Sequence, residues 1–115
     1  DVPHERVSRY LHLADVFVRP SLSEGLGTAF LEAMAAGVPI VGSPVGGIPD
    51  FLHDGATGLM CDPNDPGSIA RAITSVLQDA ELSAALRENA LRSVRERYSW
   101  GTIARQMYDV YCSMV

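Results

Sequence analysis

Two glutamates, Glu24 and Glu32, stand with seven residues between them in the segment PSLSEGLGTAFLEAM, which begins at Pro20. Glu24 lies beside a glycine in a turn-rich stretch, whereas Glu32 lies in an alanine-rich run of good helix formers. An ionised carboxylate only accepts hydrogen bonds, and it can hold two hydroxyl groups at once. The pair therefore favours a ligand that carries vicinal hydroxyls, as ribose and hexoses do.

The residues between the glutamates favour a phosphate. Gly25 and Gly27 carry no side chain, so the backbone can approach a ligand closely, and Thr28 adds a hydroxyl. A helix that begins here offers unpaired N–H groups and the positive end of its dipole. Because carboxylates repel phosphate, we expect Glu24 and Glu32 to grip diols on either side of a diphosphate. Taken singly, each glutamate could instead be a solvated charge that complements the helix dipole.

The composition excludes several functions. The chain has 115 residues, about one small domain, and 47% of them are hydrophobic, which is enough for a packed core. The net charge of −5 argues against binding to nucleic acid. All nine basic residues are arginine, so this chain has no lysine for Schiff-base chemistry.

Further absences give weaker expectations. No apolar run reaches about 18 residues, and no signal peptide is evident. The first residue is Asp1 rather than Met, so we expect a processed chain or a piece of a longer one. Cys61 and Cys112 lie far apart, without partners at metal-ligand spacing. We therefore predict no metal site and a reduced, cytoplasmic setting.

The pattern along the chain predicts alternating helices and strands. Helices are predicted over residues 4–13, 27–36, 66–77 and 81–98, and a last helix should end near Met114. Asp65 and Ser99 are the predicted N-caps of the third and last of these helices, and strands are predicted over 16–19, 38–44 and 59–62. Strands separated by helices indicate an α/β fold with a parallel sheet. Three strands make only half of a Rossmann-like sheet, here with flanking helices and a helical C-terminus. We expect the free edge of strand 16–19 to be covered by a second copy, in a homodimer or swapped pairing, or by chain outside this sequence.

The segment from about Ala14 to Asp65, which includes PSLSEGLGTAFLEAMAAGVPIVGSPVGGIPDFL, closely resembles the C-terminal domain of GT-B glycosyltransferases. The particular group is the retaining glycosyltransferase family 4, also called "glycosyl transferases group 1", whose E-x7-E signature matches Glu24 and Glu32. The resemblance continues more weakly through the C-terminal helices, where YSW precedes the last one. It implies that residues 1–115 are a partial C-terminal Rossmann-like domain.

The resemblance also assigns roles to the residues of the motif. It implies that Glu24 contacts hydroxyls of the transferred sugar and that Glu32 holds the ribose diol of the nucleotide. The backbone of Gly25, Leu26, Gly27 and Thr28 would line the sugar and the diphosphate. The family retains anomeric configuration and uses neither a cofactor nor a metal bound to the diphosphate. The helix dipole and cationic side chains would stabilise the departing nucleoside diphosphate.

The same resemblance implies what this chain lacks. The family's Arg and Lys clamp lies upstream of the signature, and an N-terminal domain binds the acceptor, which stays unknown here. No catalytic residue is therefore expected within this chain, and the 115 residues alone are predicted to be inactive with at best weak nucleotide affinity. Any membrane association would come from the missing domain.

Two other functions stay open at this point, together with two local expectations. One alternative is a GT-B nucleotide-sugar epimerase or phosphorylase, and the other is a non-catalytic nucleotide-sugar binding or assembly module. Arg19 could reach a ligand, but we expect it to point to solvent at the sheet edge. Gly46 and Gly47 are expected to serve a turn beside the cleft rather than to contact a ligand.

Overall fold

A computed structural model describes all 115 residues, and its elements alternate in the predicted order. The helices are α1 (His4–Leu11), α2 (Thr28–Ala35), α3 (Pro66–Gln78), α4 (Ala80–Arg97) and α5 (Trp100–Ser113). The strands are β1 (Phe17–Arg19), β2 (Ile40–Gly42) and β3 (Leu59–Met60), and a single 3-10 turn covers Ile48–Asp50. None of these helices has the length and apolar character needed to cross a membrane.

The three strands form one parallel sheet in the order β1-β2-β3. Val18 of β1 lies opposite Val41 of β2, which in turn lies opposite Leu59 of β3. The predicted α/β fold, with half of a Rossmann-like parallel sheet, is therefore confirmed. β1 is an edge strand because it pairs only with β2, as expected from the small number of strands.

Two apolar clusters cover the two faces of the sheet. Successive strand residues point to opposite faces, so Ile40 belongs to the first cluster and Val41 to the second. The first cluster takes residues from α2 and the C-terminal half of α4, whereas the second takes residues from α3 and Leu86 of α4. α2 is thereby fixed on one face of the sheet, with Phe30 and Met34 fully buried.

The predicted boundaries differ from the observed ones mainly in the strands. The strand predicted over 38–44 contains only β2, because Pro39 has no N–H and the chain after Gly42 turns into the loop that follows. The helix predicted over 4–13 ends at Leu11, and His12 forms its C-cap. The caps predicted for the later helices are confirmed: the Asp65 side chain accepts a hydrogen bond from the Gly67 N–H, and Ser99 accepts one from Thr102.

α5 is only weakly embedded in the fold. It contains no buried residue, and the exposed fractions of Trp100 and Tyr108 are 85% and 67%. A groove on its apolar face is lined by Ile103, Met107 and Val110, among others. The aromatic side chains of this helix are therefore largely exposed.

The cap of α3 predicts a pH dependence of stability. Hydrogen bonds from the backbone N–H groups of Ser68 and Gly67 lower the pKa of Asp65 below its usual value, and Arg71 adds to this effect. A lowered pKa in the folded state means that the contribution is present above the unfolded pKa and is lost as the pH falls through the folded pKa. We expect the stability advantage of the native chain over Asp65→Asn to be constant near neutral pH and to shrink below about pH 4.

Urea unfolding of both chains between pH 7 and pH 3 measures this difference. Asn keeps the capping geometry without an ionisable group, so it is the matched control. A stability difference that does not change across the acid range would contradict the lowered pKa of Asp65.

Candidate functional site

The β1–α2 loop, residues 20–27, lies at the carboxyl edge of the sheet, where parallel α/β sheets bind ligands. It ends at Gly27, which is the N-cap of α2 and adopts a left-handed conformation with φ of +80°. A Cβ atom on Gly27 would lie 2.5 Å from Ile48 Cδ1 and 3.2 Å from Phe51 Cζ. Glycine is therefore required here both by its backbone angle and by close packing.

The start of α2 presents a run of unpaired backbone donors. None of the N–H groups of residues 25–29 donates a hydrogen bond to another group of the chain, and α2 has no side-chain cap. Gly25, Leu26 and Thr28 are exposed, so water or a ligand must satisfy these donors. Together with the positive end of the helix dipole, these groups form a surface suited to an anion.

Glu24 is held firmly within the β1–α2 loop. Its Oε1 accepts a hydrogen bond from Ser21 Oγ at 2.7 Å and lies 2.8 Å from Arg19 Nε. The Glu24 side chain is only 9% exposed, against 49% for Arg19. The carbonyl oxygen of Ser21 in turn accepts a hydrogen bond from the hydroxyl of buried Ser43, which follows β2.

Arg19 is exposed at the sheet edge as expected, but its side chain also pairs with Glu24, which the sequence did not predict. The last residue of β1 and Glu24 lie at opposite ends of a tight bend that begins at Pro20, so the guanidinium reaches the carboxylate. Neither Arg19 nor Ser21 belonged to the predicted site. A period-two strand pattern says nothing about the direction of its last side chain once a proline turns the chain, so the sequence held no signal for this pair.

The loop that follows β2 contains Gly46 and Gly47, and these two glycines pack directly against the β1–α2 loop. The Gly47 N–H donates a hydrogen bond to the carbonyl oxygen of Gly25 at 2.8 Å. Gly46 has φ of +56°, and a Cβ atom there would lie 2.0 Å from the carbonyl oxygen of Glu24. The predicted turn role is thus only part of the answer, because the glycine pair also supports the backbone on which Glu24 stands.

Glu32 faces a different part of the surface. It lies on the second turn of α2, with its side chain 33% exposed and Oε1 at 3.8 Å from His4 Nδ1. It borders an open groove of about 420 Å³ between α1 and α2, to which His4, Ser8 and His12 also contribute. Glu24 does not line this groove, so the two carboxylates do not form an acid and base pair around one cavity.

The remaining candidates have structural explanations. Cys61 is buried, and burial raises the pKa of its thiol, with the nearby Asp62 carboxylate adding to the effect. A raised pKa suppresses the thiolate, so Cys61 behaves as a small apolar side chain. His53 is exposed in a loop. No group of three or more His, Cys, Asp or Glu side chains could hold a metal ion.

The three-stranded parallel sheet and its flanking helices define an α/β domain of the Rossmann-like type, with a loop suited to an anion at its carboxyl edge. The sequence model of the family described as "Glycosyl transferases group 1" matches residues 1–93. The chain therefore belongs to the group 1 glycosyltransferase family, and the resemblance drawn from the motif is confirmed. It is 35% identical over 109 residues to a D-inositol 3-phosphate glycosyltransferase from Corynebacterium kroppenstedtii, a match that covers 95% of this chain and 24% of that protein.

Solved structures share this fold. The sucrose-phosphate synthase from Thermosynechococcus elongatus matches 99% of the chain with a TM-score of 0.90 and 34% identity, and the match covers 29% of that protein. HepE from Anabaena, solved with UDP-glucose, matches 93% of the chain with a TM-score of 0.86 and 24% identity, over 30% of its own length. The chain spans about a quarter of the length of the curated relatives it matches.

The contact between the two loops can be tested with two glycines of similar conformation. Gly55 has φ of +75° and open space around its Cα, whereas Gly46 has no room for a Cβ atom. We expect Gly55→Ala to cost about 1–2 kcal/mol of unfolding free energy from backbone strain alone. Gly46→Ala should cost more, because the backbone of Glu24 must move.

Chemical denaturation and amide NMR spectra measure the two effects. Only Gly46→Ala should shift the amide resonances of residues 24–29. Equal losses of stability, with those resonances unchanged in both variants, would contradict the supporting role of Gly46.

Proposed function

We propose that the chain binds the nucleoside-diphosphate-sugar donor of a retaining glycosyltransferase that transfers a hexose to an acceptor. The single observation that carries this proposal is the run of free N–H groups of residues 25–29, which has one of the two signature glutamates on each side of it along the chain. Membership of the group 1 family supports the same reading. In this proposal, residues 1–115 act as part of a larger C-terminal domain.

The diphosphate of the donor would lie at the start of α2. The backbone of Gly25, Leu26, Gly27 and Thr28 would supply N–H groups, and the helix dipole would favour the negative charge. These groups are preorganised, since Gly27 is fixed by its neighbours and Gly25 is bonded to Gly47. They would stabilise the nucleoside diphosphate as it leaves, without a cofactor or a bound metal.

The two glutamates would recognise the ends of the donor. Glu24, held in the β1–α2 loop, would accept hydrogen bonds from hydroxyls of the transferred sugar. Glu32 would accept them from the ribose diol, and the groove beside it provides about 420 Å³ of space on that side. The distinct surroundings of the two side chains support separate roles.

The catalytic residues and the acceptor site would come from polypeptide outside these residues. β1 has a free edge, and α5 exposes an apolar face, so both offer surfaces for further chain. Since the relatives are about four times as long as the match, we propose that further polypeptide of the same protein, rather than a second copy, covers these surfaces.

Titration of the full-length protein with UDP and UDP-glucose tests the donor roles. Because each glutamate loses a charged acceptor, we expect Glu32→Gln to weaken binding of both ligands by about tenfold. Glu24→Gln should weaken binding of UDP-glucose by a similar factor and leave binding of UDP unchanged. Glu88→Gln, on the exposed face of α4, is the matched control and should change neither affinity.

Parallel titrations with GDP and GDP-mannose cover the other common nucleotide. Unchanged affinities in both glutamate variants for both nucleotide pairs would disprove the assigned roles. Binding of a donor without transfer to any acceptor would favour the non-catalytic binding module instead.

Activity of the 115-residue chain by itself gives a further prediction. Because the acceptor site and the residues around the reacting carbon are expected elsewhere, the isolated chain should show no sugar transfer. Its nucleotide affinity should also be weaker than that of the full-length protein. Transfer of radiolabelled sugar by the purified chain, at a rate near that of the full-length protein, would contradict this division of labour.

A further inference from the structure

An ion pair and a hydrogen bond converge on one oxygen of Glu24. Arg19 Nε lies 2.8 Å from Oε1, and Ser21 Oγ donates to the same atom at 2.7 Å. Both contacts are made to the same oxygen, so the hydroxyl of Ser21 and the charge of Arg19 together hold Oε1 in place.

The other oxygen of Glu24 is left available. Oε2 accepts no hydrogen bond from the chain, since both contacts of the carboxylate are to Oε1. No buried side-chain nitrogen or oxygen atom lacks a partner, so Oε2 must reach solvent even though the side chain is only 9% exposed. Glu24 thus presents one accessible acceptor from an otherwise enclosed side chain.

The donors that fix Glu24 are themselves attached to the sheet. Arg19 is the last residue of β1 and lies opposite Gly42 of β2 in the parallel ladder. The backbone of Ser21 is tied to the end of β2 by the hydroxyl of Ser43. The direction of Oε2 is therefore set by two adjacent strands rather than by the flexible loop alone.

We propose that Arg19 and Ser21 are positioning residues that aim Glu24 Oε2 at a hydroxyl of the transferred sugar. The proposal rests on the donor role of Glu24 under the proposed function and adds two residues to it. Because Oε1 is already occupied, Glu24 binds the sugar through a single oxygen. The positive charge of Arg19 also offsets the repulsion between Glu24 and the diphosphate at the start of α2.

This role acts on the sugar and not on the nucleotide. If Arg19 or Ser21 is removed, Glu24 can rotate away, so the energy that the sugar adds to binding is lost. The N–H groups of residues 25–29 and the Glu32 carboxylate remain in place, so the nucleoside diphosphate still binds. If Arg19 and Ser21 had only a structural role, their removal would weaken the binding of both the nucleotide and its sugar donor.

The experiment compares a nucleoside diphosphate with its sugar donor in the full-length protein. UDP with UDP-glucose and GDP with GDP-mannose are titrated calorimetrically. For the pair that binds more tightly, the dissociation constant of the nucleotide is divided by that of its sugar donor. We expect Arg19→Met and Ser21→Ala each to reduce this ratio by about tenfold at an unchanged nucleotide affinity. Arg19→Lys keeps the charge, so it should reduce this ratio less than Arg19→Met does.

Arg92→Met is the matched control, because Arg92 forms an exposed pair with Glu88 on α4 and should leave the ratio unchanged. A double variant of Arg19→Met with Glu24→Gln should lose no more than Glu24→Gln alone, since the arginine acts through the carboxylate. Steady-state kinetics should show the same difference. The KM for the sugar donor should rise, while the inhibition constant of the nucleotide should stay unchanged.

The outcomes distinguish the positioning role of Arg19 and Ser21 from the donor-binding role of Glu24. If Glu24→Gln reduces the ratio while Arg19→Met and Ser21→Ala do not, the positioning role is overturned and the proposed function stands. If Glu24→Gln itself leaves the ratio unchanged, or if neither nucleotide binds, the proposed donor role fails and this inference fails with it. Loss of both affinities in Ser21→Ala and Arg19→Lys would show a structural role and would overturn the proposal.

Discussion

The packing of Phe30 on Gly42 is the contact on which the rest of the site depends. Phe30 lies on α2 and is fully buried, and a Cβ atom on Gly42 of β2 would come within 2.7 Å of its ring. The missing side chain allows the ring to lie directly on the sheet, where Phe17 meets it edge-on at 5.1 Å between centroids. This contact fixes the height and direction of α2, and therefore the place where its first N–H groups emerge.

Close packing at glycine residues then fixes the loops against the sheet and against each other. Gly27 fits beneath Ile48 and Phe51, and Gly46 lies against the carbonyl of Glu24. Neither Gly27 nor Gly46 could be exchanged for a larger residue without displacing core side chains or backbone, so the loop is closely packed against its neighbours. A rigid loop costs little to order when a ligand binds, which is the condition for strong recognition by backbone groups.

Groups that favour an anion and a negatively charged carboxylate lie side by side in the site. Backbone donors and a helix dipole favour an anion, while a carboxylate stands a few residues away in the same loop. Arg19 neutralises that carboxylate locally, so Glu24 can remain an acceptor next to the place where negative charge would bind. Glu32 has no such partner at hydrogen-bond distance, since His4 is 3.8 Å away, and it is correspondingly more exposed.

The sequence by itself determined the order of the elements, the parallel sheet, the caps at Asp65 and Ser99, and the membership of the family. These features depend on hydrophobic periodicity and on signals that act within about one turn, which can be recognised locally. Only the tertiary structure decided the partner of Arg19, the support of Glu24 by Gly46 and the groove beside Glu32. Such contacts arise where loops from adjacent strands meet, as with Ser21 and Ser43 across 22 residues, and no local pattern encodes how close two loops will come.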